Sequence, residues 1–226
     1  MGIAGACMLV TVVAMAGMIE AERQGSALAR AVTKITASSA FVAAAVFAGA
    51  FDSRYGTWVL VALVLSWVGD VCLLPKARAW FLAGLVSFLL GHLAFAVAFV
   101  IRGFDPRAVV VALALMMAPA VVVGRWLLPR VEAAMRGPVL AYMAVITSMV
   151  TLAAATVALW GNGVILAAAV AFYLSDLAVA RDRFVAPGFR NRLWGLPLYY
   201  GAQLLFVWTV SLEAPIVDGF FQQSVF

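Results

Sequence analysis

The chain has 226 residues, of which 66% are hydrophobic and only 11% charged, and its mean hydropathy is +1.10. That composition excludes an ordinary soluble domain and reads as an all-α, polytopic membrane protein, a single transmembrane domain over residues 1–226. The net charge of +5 is divided among long apolar runs, so no basic face is available to grip nucleic acid and no such partner is expected.

A hydrocarbon core about 30 Å thick asks for roughly 20 apolar residues per spanning helix. Eight segments meet that length or nearly do: Gly2 to Ile19, Ile35 to Phe51, Thr57 to Leu74, Trp80 to Ile101, Ala108 to Leu128, Val139 to Trp160, Val164 to Ala180, and Leu193 to Leu212. The first has no positive residues before it and carries its charges after it, so it reads as a retained helix, not a signal peptide. The fifth is interrupted by Pro119 and Arg125, which a kink and a snorkelling side chain reconcile with a span. Cys7 and Cys72 lie in apolar runs without CxxC or Cys/His spacing, which gives no sign of a disulfide scaffold or a zinc site. Trp58, Trp80, Trp126, Trp160 and Trp194 fall at predicted helix ends and read as interfacial anchors.

Lys and Arg stay preferentially on the cytoplasmic side of a membrane. The odd-to-even loops hold twelve of them: Arg23, Arg30 and Lys34; Lys76 and Arg78; Arg125, Arg130 and Arg136; Arg181, Arg183, Arg190 and Arg192. Arg54, Arg102 and Arg107 alone are on the other side, which places both termini outside the cell membrane.

Most acids, among them Glu20, Glu22, Asp52, Asp105, Glu132, Asp182 and Asp218, fall in predicted loops or tails, where solvation accounts for them. Asp70 and Asp176 do not. They lie inside the third and seventh runs, where an ionised carboxylate costs about 2.5 to 3.5 kcal/mol or more. Each is predicted one turn before its helix end, at one depth in the cytoplasmic third of the membrane. Ser66 shares a face with Asp70, and Ser175 and Tyr173 flank Asp176, so hydroxyls are expected beside both acids. His92, the single histidine, sits among Leu85, Phe88, Phe95 and Phe99 and reads equally as a satisfied core residue or a functional one. Gln203 follows Tyr199 and Tyr200 by one turn, and an interhelical hydrogen bond would explain it.

Gly84, Phe88, His92 and Leu93 after the first acid have the same mutual spacing as Gly195, Tyr199, Gln203 and Leu204 after the second. That echo is compatible with two four-helix halves in parallel repeat about an axis along the membrane normal, and also with chance in apolar helices.

At these residues the sequence resembles the YhhN-like lysoplasmalogenases, membrane enzymes with eight helices. The similar blocks run through most of the chain: Ser66-Trp-Val-Gly69-Asp70-Val-Cys-Leu73-Leu74; Phe81, Gly84, Leu85, Phe88, Gly91, His92 and Phe95; the Tyr142 region; Ala171-Phe-Tyr-Leu-Ser175-Asp176 to Phe184; and Tyr200-Gly-Ala202-Gln203-Leu204. Where the family often has Lys-Pro, this chain has Lys34-Ile35, which bears on the entry to helix 2.

The resemblance implies hydrolysis of the vinyl-ether bond of a lysoplasmalogen, a lysophospholipid held in membrane lipid, to a fatty aldehyde and a glycerophospho-headgroup. Such chemistry needs a proton on the β-carbon, an oxocarbenium ion beside it, and water, a division of labour that two carboxyls perform in glycoside cleavage. Asp70 and Asp176 are the expected catalytic pair, one as general acid and one as stabilising carboxylate, in either order. Ser66, His92, Tyr173, Ser175, Tyr200 and Gln203 are expected to support them. Lys76, Arg78, Arg181 and Arg183 are placed to meet a phosphate or simply to set topology, and no metal or redox cofactor is called for. Gly84 and Gly91 would either open an apolar groove or pack helices closely. The rival reading is a proton-coupled transporter of a lipid or small metabolite, since paired acids and a parallel repeat also suit alternating access.

Overall fold

A computed structural model describes residues 2–75 and 77–212. Among them the regular structure is helical: α1 (Ile3–Gln24), α2 (Ala27–Phe47), α3 (Arg54–Cys72), α4 (Arg78–Arg102), α5 (Pro106–Leu127), α6 (Ala133–Trp160), α7 (Val164–Phe184) and α8 (Phe189–Ser211), with a 3-10 turn at Leu128–Arg130 after α5. Seven of these, α1 to α7, are long and apolar enough to cross a membrane, so the chain is a multi-pass membrane protein. Helix α8 has the length, but Arg190, Asn191, Arg192, Gln203 and two tyrosines lower its hydropathy.

Several helices start earlier or run longer than their apolar stretches, because the turns that carry charge are helical too. Ser26 caps α2 by accepting a hydrogen bond from the Ala29 amide at 3.3 Å. This takes Lys34 out of the expected loop and into the second turn of the helix, where Ile35 in place of proline lets the backbone ladder continue. Likewise α7 runs on through Arg181 to Phe184. Asp70 is therefore near the end of α3, whereas Asp176 is two turns short of the end of α7, and their expected equal distance from the helix ends does not hold.

The helices associate as hairpins in chain order, with α6 packed on α4 and α8 closing back on α1, α2 and α3. Helix α5 lies outside, against α6. Because lipid tails are as apolar as leucine, helices in a bilayer are held by close packing and polar contacts rather than by hydrophobic burial. Buried alanines on α2, α3, α4, α6 and α7 meet that need. The tightest crossings use glycine. A Cβ on Gly84 would lie 2.9 Å from Leu73 Cδ2 and 3.3 Å from the Gly69 carbonyl oxygen; one on Gly195 would lie 2.6 Å from Ala178 Cβ. A Cβ on Gly91 would meet the Ala62 carbonyl and Ser66 Oγ at 3.4 Å, ordinary contact distance, so Gly84 is the glycine that the seating of α4 on α3 requires, and neither lines the cavity described below. Gly195→Ala is expected to cost about 1 to 3 kcal/mol by overpacking, read as a lower unfolding midpoint in detergent; an unchanged midpoint would show that α8 can move away freely.

The centre of the bundle is aromatic. Phe95 and Phe206 stack with centroids 4.0 Å apart, Phe99 lies 6.2 Å from Phe206, and Phe172 meets Tyr199 edge-on at 5.5 Å. All but Tyr199 are fully buried.

Candidate active site

A cavity of about 540 Å³ opens between the helices at the end where α1 meets α2, α3 meets α4 and α7 meets α8. It is of the size that takes a small ligand or a lipid headgroup with part of its chain. Both Asp70 and Asp176 line it, as do Tyr142, Tyr173, Ser175 and Tyr199.

Asp70 is 3% exposed, and three donors surround it. Lys34 Nζ lies 3.0 Å from Oδ1, and Oδ2 accepts hydrogen bonds from the hydroxyls of Ser38 and, at 2.8 Å, Tyr199. The single Ser38 proton goes to Asp70, so Tyr200 is the donor in its 3.3 Å contact with the Ser38 oxygen. A carboxylate with an ammonium on one oxygen and two hydroxyls on the other is an acceptor throughout.

Asp176 has a different set. Its Oδ2 accepts from Tyr142 Oη at 2.7 Å and lies 2.9 Å from His92 Nε2, while Nε2 and the Tyr142 oxygen are themselves 2.9 Å apart. His92 is fully buried, and its Nδ1 has no hydrogen-bond partner. A proton on Nδ1 would be an unpaired donor among aromatic rings, a costly arrangement, so the ring carries its proton on Nε2 and is neutral. Asp176 thus has no cation beside it, its donors converge on one oxygen, and its side chain is 19% exposed toward the cavity. Phe172 stands between the two networks, with its ring 4.4 Å from that of His92 and 5.5 Å from that of Tyr199.

Several expected supports act elsewhere. Ser66 donates to the Ala62 carbonyl and Ser175 to the Phe172 carbonyl, each within its own helix, so neither hydroxyl reaches an acid. Gln203 is fully buried, and its amide makes no hydrogen bond within 3.5 Å. Arg78 pairs with Glu132 at 3.3 Å on the exposed surface, and Arg181 donates to Asn191; neither lines the cavity, although Arg183 does. Lys76 and Asp218 lie outside the described residues.

The cations that do line the cavity are Arg30, Lys34, Arg183 and Arg192. Arg192 bridges Glu22 at 3.1 Å and Asp182 at 3.2 Å, and Arg30 approaches Glu22 at 3.8 Å. Glu22 and Asp182 are therefore held in ion pairs at the cavity rim and are not simply solvated. Four side chains of the two acid networks were hidden from sequence reasoning: Lys34, Ser38, Tyr142 and Tyr199. The signals for three of them are local. Lys34 and Ser38 share one helical face, and Tyr142 is a polar residue in an otherwise apolar stretch.

The profile of the YhhN family matches residues 29–210. The chain belongs to the YhhN family. This YhhN protein is 29% identical over 169 residues to the lysoplasmalogenase TMEM86A of Bos taurus, an alignment that covers 72% of the chain and 69% of the relative. It is 36% identical over 155 residues to the lysoplasmalogenase TMEM86B of Mus musculus, covering 67% of the chain and 62% of that relative, less than two thirds of its length. No solved structure matches the chain.

Proposed function

We propose that this YhhN protein is a membrane hydrolase that cleaves the vinyl-ether bond of a lysoplasmalogen, with Asp176 as proton donor and Asp70 as carboxylate. The observation that carries the reading is the unlike surroundings of two acids on one cavity. Asp70, with Lys34, Ser38 and Tyr199 around it, is the member held ionised. Asp176, beside a neutral His92 and no cation, is the member able to carry a proton.

Asp176 gives its proton to the β-carbon of the vinyl ether, and an oxocarbenium ion forms at the neighbouring carbon. Asp70 stabilises that charge, and Asp176, ionised by the first step, takes a proton back from the attacking water, which restores both acids to their starting states. The resulting hemiacetal breaks into a fatty aldehyde and the glycerophospho product. Water and substrate enter by the charged rim, and the apolar chain lies along Phe81, Leu85, Val139 and Ile146, which line the same cavity.

The eight helices act as one domain in which α8 crosses the membrane with the rest, both termini are outside, and the rim faces the cytoplasm. A parallel repeat is supported by the pattern of partners. Asp70 on α3 takes Lys34 and Ser38 from α2 and Tyr199 from α8, and Asp176 on α7 takes Tyr142 from α6 and His92 from α4. Shifting each donor by four helices maps one set onto the other.

The test is incubation of the detergent-purified protein with a lysoplasmalogen. Free aldehyde is the expected product; transfer across liposomes with no chemical change would favour a transporter instead.

A further inference from the structure

We propose that the rim of the cavity is a headgroup site for a zwitterion bearing a primary ammonium, with Arg30 and Arg192 taking the phosphate and Glu22 and Asp182 the ammonium. The inference rests on the hydrolase reading and adds the headgroup class. All four side chains line the cavity, on the same side as the turns that join α1 to α2 and α7 to α8. The Glu22 side chain is 10% exposed, against 25% for Asp182, 26% for Arg30 and 39% for Arg192, so Glu22 is the deep member of the cluster and the others face the opening.

Charge balance narrows the ligand. The rim has two guanidiniums and two carboxylates that pair with one another, and a partly buried site is costly to leave with an uncompensated charge. Arg183, the other arginine of the lining, lies over the Phe81 ring, and a bare phosphate that drew Arg30 and Arg192 away would strip Glu22 of both its cations, while Asp182 would keep only the Gly188 amide and Asn191. A zwitterion offers each side a new partner and leaves the total unchanged. Arg192 has five N–H donors, of which one each from two nitrogens serves Glu22 and Asp182, so it can turn to a phosphate without losing both pairs.

Spacing agrees with the assignment. Arg30 precedes Lys34 by one turn of α2, a rise of about 6 Å, and Lys34 touches Asp70. A glycerol backbone, which separates the ether oxygen from the phosphate, is of that order of length. The preference for a primary over a quaternary ammonium comes from what surrounds the acids. Quaternary ammonium groups are held on open aromatic faces. On this side of the cavity Phe81 and Phe184 meet edge-on at 6.1 Å, and the Arg183 guanidinium lies 4.4 Å over the Phe81 face. What the rim offers is carboxylate oxygens, which accept N–H donors.

The test measures binding of saturated 1-alkyl lysolipids to the full chain purified in detergent. These ligands have no vinyl bond, so the result is independent of hydrolysis, and a protein that binds as expected but releases no aldehyde would refute the enzyme reading alone. The alkyl glycerophosphoethanolamine is expected to bind about tenfold or more tightly than the alkylglycerol without phosphate, and more tightly than the phosphocholine form. Glu22→Gln should erase the preference for ethanolamine over choline, and Asp182→Asn provides the same reading if Glu22→Gln fails to fold. Arg30→Gln should weaken every phosphate-bearing ligand about tenfold and leave their order unchanged. Equal binding of the phosphate-free lipid, choline bound as tightly as ethanolamine, or a preference that survives both acid substitutions overturns the proposal.

Discussion

Asp176→Asn and Asp70→Asn are each expected to lower lysoplasmalogen turnover by about 10² to 10⁴, the range that positioned acid–base groups contribute. The two losses differ in character. Asparagine at 176 keeps the hydrogen bond to Tyr142 or His92 but has no proton to give. Asparagine at 70 removes the charge that faces Lys34 and leaves the donor in place. Turnover within a few-fold of the parent in either variant, with the protein monodisperse in detergent, would reject the paired-acid mechanism.

Lys34→Met is expected to destabilise the protein by about 3 to 5 kcal/mol, because it leaves the buried Asp70 carboxylate without its cation. The lysine side chain is 15% exposed and the acid 4%, so water cannot replace the missing charge. The hydroxyls of Ser38 and Tyr199 remain and keep the loss from being larger. Lys34→Met combined with Asp70→Asn removes charge and countercharge together, and should recover most of the stability while remaining inactive. Thermal unfolding of the three variants in one detergent reads this directly. Equal midpoints for the parent and Lys34→Met would mean that the ion pair contributes nothing to the fold.

What could be read in advance follows from which terms are local. Hydropathy over about 20 residues is a local sum, so the apolar cores of the helices were visible, and the high cost of a carboxylate in hydrocarbon singled out Asp70 and Asp176. The helix ends were not visible where polar turns remain helical, and Lys34 was assigned to a loop for that reason. Ser66 and Ser175 show the limit of face-sharing arguments. A hydroxyl placed one turn from an acid, or next to it in the chain, can instead turn back to its own helix carbonyl, and both do. Partners from other helices are a property of the assembled bundle. His92 meets an acid 84 positions away, and Tyr199 one 129 away, and no periodicity encodes such pairings. Of the cations expected next to the acid-bearing helices, Lys76, Arg78, Arg181 and Arg183, the last lines the cavity while Arg78 and Arg181 do not, and Arg30 and Arg192 reach it from the neighbouring ends of α2 and α8.

Arg30 and Arg192 line the cavity beside the turns that join α1 to α2 and α7 to α8. A spent headgroup that stays with these arginines occupies the place that the phosphate of the next lipid needs. Glycerophosphoethanolamine should therefore compete with fresh substrate for that place, and the pace of a full cycle would be set as much by departure as by bond breaking.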